Sequence, residues 1–229
     1  MHDLLPILRA CPLLAGLSDT ARDALLERCR RRQYRAGEII YLPGSMQSTL
    51  CIIAEGRVRI CSTNASGREA VLALLDVGAW FGDTVFSPGV PRVFGATAHE
   101  DCQIVEIPGD GVREVLEQYP EAYPTVLDQV SRRLWSAMSV IQDDVLRGTE
   151  ARIGNRLLFL AQMHNRNGQG EAVRFTLTRE LLANMMGMTR QGVHRVLKNI
   201  EAQGLIEFDY GRVTIADPAR LKRYLDGLD

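Results

Sequence analysis

The chain has 229 residues, 46% hydrophobic and 24% charged, with a formal net charge of −1. That length and apolar content allow two buried cores. No run approaches the ~20 apolar residues of a membrane span, and Asp3, Pro6 and Pro12 speak against a secretory leader. The five cysteines (Cys11, Cys29, Cys51, Cys61 and Cys102) are odd in number and scattered, with no CxxC pair. Neither a zinc site nor an iron–sulfur cluster is suggested, and a reducing cytoplasm is expected.

In chain order, Pro12 to Arg32 reads as helical, opened by Leu17-Ser18-Asp19, with Leu25, Leu26 and Cys29 as its apolar stripe. From Gln33 to Ile107 the pattern changes to short apolar or β-branched runs: EIIY, TLCIIA, RVRICS, AVLALL, VFGATA and CQIVEI. Gly37, Gly44, Gly56, Gly67, Gly78 and Gly82 punctuate them, as in an antiparallel roll or barrel. Glu55-Gly56 joins two strands tightly, and Asn64 to Gly67 is a polar hairpin tip. Pro108 ends the roll. In the long helical region that follows, Leu127, Val130, Leu134, Ala137 and Ile141 repeat at spacings of 3, 4, 3 and 4, the rhythm of a coiled-coil seam. Arg147-Gly148-Thr149 breaks the helix; Thr149 is a candidate cap for another, Glu150 to Gln162, and Asn165 to Gly170 is a polar loop.

The segment from Thr178 to Ile206 carries the chemistry. Thr178 is a plausible N-cap for a first helix with Leu181, Leu182, Met185 and Met186 on its apolar stripe. Ala183 is small enough for a crossing helix, and Gly187 suits a tight interhelical turn. Thr189 caps a second helix in which Val193, Val196, Leu197 and Ile200 share one face. The opposite face collects Arg190, Gln191, His194, Arg195 and Lys198, with Gly192 between them. Such donors suit a major groove, whose base edges offer acceptors to Arg and a paired acceptor and donor to Gln. Two short β-type runs around Asp209-Tyr210-Gly211 then complete a winged helix-turn-helix. From Val145 onward, 13 Lys and Arg face 9 Asp and Glu, a net +4, and the remainder is −5. The basic excess therefore sits with the candidate DNA reader.

A β-roll, a long helix, a hinge and a winged helix-turn-helix resemble the Crp/Fnr family of bacterial transcription regulators. The resemblance covers nearly the whole chain, most specifically in Gly37-(x)6-Gly44, Glu55-Gly56, Phe81-Gly82-Asp83 and the run from Thr178 to Ile206. It implies an α+β chain: an antiparallel β-roll of the cyclic-nucleotide-binding type with flanking helices (1–110), a long dimerisation helix (111–147) and a winged helix-turn-helix (148–229). It further implies a homodimer on palindromic double-stranded DNA, with seam residues Leu127, Val130, Leu134, Ala137 and Ile141, and contact with RNA polymerase in many members. The family's Arg-Glu-x-x-x-Arg falls at Arg190, Gln191 and Arg195. Both arginines are present, but the acid is replaced by Gln, so a different half-site is expected. Thr178, Arg179 and Thr189 suit phosphate positioning, and His194 suits phosphate or base contact.

The candidate effector pocket departs further from the family. The stretches that grip ribose and cyclic phosphate in nucleotide-binding relatives fall at Gly82-Asp83 and Arg92-Val93. The Thr-Ser pair that meets adenine falls at Ala137-Met138. Asp83 is shorter than Glu, and Val93, Ala137 and Met138 offer no side-chain hydrogen bond. With each such bond worth ~1 kcal/mol, cyclic AMP is disfavoured. A cyclic dinucleotide, another small effector or none stays open. The compact N-terminal cysteine cluster of the oxygen sensors is missing. His2 and His99 are unsupported as haem ligands, and Cys51 and Cys61, flanking one hairpin, are the pair to examine for thiol oxidation. The competing reading is an effector-binding or protein-contact module whose winged helix does not read DNA. No nucleophile–base pair, metal spacing or phosphate loop recommends an enzyme.

Overall fold

The computed structural model describes residues 4–65, 67, 69–164 and 172–228, without the side chains of 163 and 164. His2, the loop from Asn165 to Gly170 and Ser66 of the hairpin tip lie outside the described residues. The chain forms two compact units, residues 1–134 and 135–229.

The first unit opens with α1 (Leu5–Ala10), a 3-10 turn at Pro12–Leu14 and α2 (Asp19–Leu26). Ser18 caps α2, its hydroxyl accepting from the Ala21 amide at 3.2 Å. The single helix expected from Pro12 to Arg32 is thus interrupted, and it stops at Leu26. Beyond it β1 (Arg30–Tyr34) runs antiparallel to β8 (Cys102–Pro108), with Arg30 opposite Glu106 and Tyr34 opposite Cys102. A run of three arginines has no apolar alternation to announce a strand. It is tolerated because β1 is an edge strand with Arg30 to Gln33 exposed, the kind of charged edge that discourages further pairing.

Between them lie β2 (Ile39–Tyr41), β3 (Thr49–Glu55), β4 (Val58–Thr63), β5 (Glu69–Leu75), the two-residue β6 (Trp80–Phe81) and β7 (Gly95–Ala98). They form two four-stranded sheets, β1-β8-β3-β6 and β2-β7-β4-β5, with antiparallel pairing throughout. All six runs read as strands lie in these sheets. β3 shows why its sequence is almost continuously apolar. Cys51 and Ile53 pack with Tyr34, Val58, Phe81 and Ile104 in one core. Leu50 and Ile52 join a second core with Leu8, Leu13, Leu25 and Val105. Burial on both faces removes the usual alternation. After β8 come α3 (Gly109–Gln118), a 3-10 turn at Pro120–Ala122 and α4 (Tyr123–Leu146). Val112, Val115 and Leu116 of α3 and Val126 of α4 close the second core.

The second unit contains α5 (Thr149–His164), β9 (Val173–Thr176), α6 (Arg179–Met186), α7 (Arg190–Ala202), β10 (Ile206–Asp209), β11 (Arg212–Ile215) and α8 (Pro218–Asp226). Thr149, expected to cap α5, is its first residue. The wing is a three-stranded sheet in the order β10-β11-β9. β9 escaped notice in the sequence although Val173, Phe175 and Leu177 alternate with exposed Arg174 and Thr176. Asp217 caps α8 with Pro218 at its first position, and Leu221 and Leu225 are buried.

Candidate DNA-recognition surface and effector pocket

The helix-turn-helix follows from local chemistry. The Thr178 hydroxyl accepts from the Leu181 amide at 3.1 Å, and the Thr189 hydroxyl from the Gly192 amide at 3.1 Å. Each satisfies an otherwise unpaired donor at its helix start. Gly187 ends α6 at φ 63°, ψ 24°, and its amide bonds back to the Ala183 carbonyl. A left-handed residue there turns the chain directly into α7. Leu181, Leu182, Ala183 and Met186 are buried on α6, with Met185 half-buried. On α7, Val193, Val196, Leu197 and Ile200 are buried, and Arg190, Gln191, His194, Arg195 and Lys198 are all exposed. Gly192 is half-buried beside its cap.

Two of the nominated residues are engaged within the protein. Lys198 pairs with Glu201 at 2.8 Å. Arg179, expected to position phosphate, is half-buried with its guanidinium over the Phe208 ring at 4.4 Å and directed to the Phe208 carbonyl at 3.5 Å. The ring face attracts the cation, so this side chain braces α6 against the wing instead of projecting outward. Two carboxylates that the sequence did not single out fix the reading helix from behind. Glu150 accepts from Asn199 of α7 at 3.3 Å and from the Tyr224 hydroxyl of α8 at 2.6 Å. Glu201 accepts from the Phe208 amide at 3.1 Å, and the Lys198 bond together with that amide holds its carboxyl below the ordinary range. No local pattern distinguishes these acids from solvated ones.

In the roll, Gly82, Asp83 and Arg92 gather, but not as an open anion grip. Arg92 is 4% exposed. Its Nε donates to the Gln47 carbonyl at 3.1 Å, its Nη2 to the Thr49 carbonyl at 2.7 Å, and its guanidinium lies 4.1 Å from the Tyr41 ring centroid. Nη1 is buried without a hydrogen-bond partner. The guanidinium, a candidate to face a phosphate, thus has two of its nitrogens on main-chain carbonyls. Gly82, at φ 99°, makes room, since a Cβ there would lie 2.2 Å from the Thr49 carbonyl oxygen and 2.9 Å from Arg92 Nη1. Asp83 turns to Arg133 of α4 at 3.7 Å. Arg133 stacks on Trp80, 3.5 Å from the ring centroid, and donates to the Trp80 carbonyl at 2.7 Å. Burial pulls its pKa down and Asp83 opposes that. Trp80 and Arg133 are 53 positions apart, which is why spacing gave no sign of the pair.

Val93 is 67% exposed, and Ala137 and Met138 are exposed on the part of α4 in the second unit. The seam residues Leu127, Val130, Leu134, Ala137 and Ile141 are exposed along α4, as are Trp135, Met138 and Val145. Among the described residues no three His, Cys, Asp or Glu cluster as metal ligands. His99 is half-buried, its pKa lowered by burial and then by Arg57 and Arg59. Cys51 and Cys61 sit in different sheets. All five thiols are free, and burial raises each pKa, to about 11 for Cys11 and Cys102. Cys11, Cys51, Cys61 and Cys102 are buried and Cys29 is half-buried, and a raised pKa disfavours the thiolate that oxidation needs. No helix among the described residues is long and apolar enough to cross a membrane.

An antiparallel roll, a long helix with an apolar outer face and a winged helix-turn-helix exposing a cationic reading face define a two-domain transcription regulator of the winged-helix class. Residues 31–119 match the cyclic nucleotide-binding domain family and residues 151–224 the Crp-like helix-turn-helix domain family. The chain belongs to the Crp/Fnr family of transcription regulators. It is 29% identical over 220 residues to the CRP-like cAMP-activated global transcriptional regulator of Mycobacterium tuberculosis, covering 95% of this chain and 97% of that protein. It is 28% identical over 221 residues to the cyclic AMP receptor protein of Thermus thermophilus, covering 96% and 100%. A Crp/Fnr-family transcriptional regulator from Thermus thermophilus shares the fold at TM-score 0.68 and 23% identity, covering 87% of this chain and all of that one.

Proposed function

We propose that this protein is a homodimeric, sequence-specific DNA-binding regulator in which α7 reads the major groove of each half of a palindromic site. One observation carries the reading: α7 buries its four apolar residues and presents Arg190, Gln191, His194 and Arg195 to solvent on the other face. Arginine pairs bidentately with guanine, and Gln191 with adenine, so the half-site should differ from one read by Arg-Glu-Arg. The apolar row along α4 supports the two-fold partner. Leu134 and Trp135 are 60% and 63% exposed, and an unpartnered row of that kind suits a coiled-coil seam.

The roll would bias DNA binding through an effector other than cyclic AMP. Arg92 is already held by two carbonyls, Val93 has no hydroxyl, and Asp83 is paired with Arg133. A ligand phosphate would have to break those contacts before making its own. Selection of DNA from a random pool, with and without cyclic AMP and cyclic dinucleotides, tests both parts. A palindromic consensus enriched independently of cyclic AMP is expected. Arg190→Ala and Arg195→Ala variants that hold the selected duplex within twofold of wild type would sink the DNA-reading assignment.

A further inference from the structure

The buried cation of the roll is covered by an aromatic ring of the same chain. Tyr41 ends β2, and its ring centroid lies 4.1 Å from the Arg92 guanidinium carbon and 6.0 Å from the Phe81 ring. The strand is irregular where it delivers that ring, since its pairing with β7 shifts register between Ile39 and Tyr41. Consecutive residues of a regular strand face opposite sides. Ile40 and Tyr41 nevertheless both pack against the core that holds Phe81 and Ile53. A bulge re-aims a side chain in this way.

With the ring in place Arg92 is closed on every side. Its Nε and Nη2 lie on the Gln47 and Thr49 carbonyls, Nη1 abuts Gly82, and Tyr41 covers the flat face. Nη1 is buried yet has no hydrogen-bond partner, and leaving a donor of an ionised group unsatisfied is costly. Burial raises the pKa of the Tyr41 phenol; Arg92 and Arg133 pull it down, while Cys51 and Asp83 push it up. The ring therefore stands among two cations and one acid, a surplus that suits an anion. A ring face holds a guanidinium less strongly than a charge-assisted hydrogen bond to phosphate does. Without the ring, a phosphate would be the better occupant.

We infer that Tyr41 sets the specificity of the roll: its ring takes the side of Arg92 that a phosphate needs and shuts out anionic effectors as a class. The inference rests on the reading that the roll answers to an effector other than cyclic AMP, and it names the residue responsible. Calorimetric titration of the full chain with cyclic AMP and with adenosine tests it on wild type, Y41F, Y41V and Y41A. Y41F keeps the ring. Y41V and Y41A remove it, and Val suits a strand, so Y41V carries the test if Y41A does not fold. Wild type and Y41F should bind cyclic AMP no better than adenosine. The ring-less variants should bind cyclic AMP about tenfold more tightly than wild type, the scale of one charge-assisted hydrogen bond, with adenosine unchanged within about twofold. Folded ring-less variants that bind cyclic AMP as wild type does overturn the inference. So does an equal gain for adenosine, which would mean that the vacated space and not the cation takes the ligand. Either result, with wild type still weak for cyclic AMP, removes only the role of Tyr41. A wild-type chain that itself prefers cyclic AMP strongly over adenosine sinks the effector reading, and the inference with it.

Discussion

Replacing Gly82 by Ala should unfold the roll more easily, and the cause can be assigned in advance. At φ 99° an L side chain is strained by about 1–2 kcal/mol. The new Cβ would sit 2.2 Å from the Thr49 carbonyl oxygen and 2.9 Å from Arg92 Nη1, and overpacking of a tight site costs ~1–3 kcal/mol. The total is about 2–5 kcal/mol, enough to lower the urea midpoint by roughly 1 M or more. The nearer obstacle is main chain of β3, which cannot swing away; the guanidinium is a side-chain end held by two carbonyls. Arg92→Ala should itself destabilise, because charged hydrogen bonds are worth ~1.5–3 kcal/mol each, partly offset by removing the unpartnered Nη1. In the double variant Gly82→Ala should still cost nearly what it costs alone. Urea unfolding in a Trp135→Phe background reads the roll, since the chain has two tryptophans and Trp80 is the buried one. A Gly82→Ala variant within 0.5 kcal/mol of wild type, or a double variant that recovers more than about 1 kcal/mol, would refute the backbone-wall account.

Thr189→Ala removes the cap of α7 and should lower the stability of the second unit by about 1 kcal/mol, read by thermal melting, and weaken DNA binding with it. Gln191→Glu should exchange adenine for cytosine preference at one position of the selected half-site while leaving the salt slope near its original value. Leu134→Asp together with Ile141→Asp should convert a dimer to a monomer in sedimentation; a dimer that persists removes the seam assignment. Glu100 is held below its ordinary pKa of 4.5, first by its bond to Arg57. A depressed carboxyl contributes stability that is complete above the unfolded value and lost as pH falls through the folded one. Glu100→Gln should therefore lower the urea midpoint at pH 7 and flatten its acid limb, the difference from wild type closing as pH falls below about 4.5.

Much of the fold was legible because its signals are local. Six of the eight roll strands stand out as short apolar runs between glycines, and the helix-turn-helix is written in two threonine caps, one glycine and a 3.6-residue period. What escaped has no local signature. β1 is a strand because β8 offers a partner, not because Arg30, Arg31 and Arg32 favour one. β6 has only two residues and is defined by its pairing with β3. For the candidate sites, the exposed face of α7 was legible residue by residue. The inward seat of Arg179 was not, because Phe208, its partner, comes 29 residues later.

By itself the sequence determined the class of molecule and the face of α7 that points outward, since periodicity dictates which side of a helix is buried whatever it packs on. Tertiary structure alone decided how the charged groups are used. Arg92 looks like an arm for an anion until Gln47 and Thr49, more than forty residues away, bring their carbonyls to it. Arg133 looks like a solvated helix residue until Trp80 lies beneath it. A guanidinium takes whatever acceptor or ring the fold places within reach, and that placement is a long-range property of the packed chain.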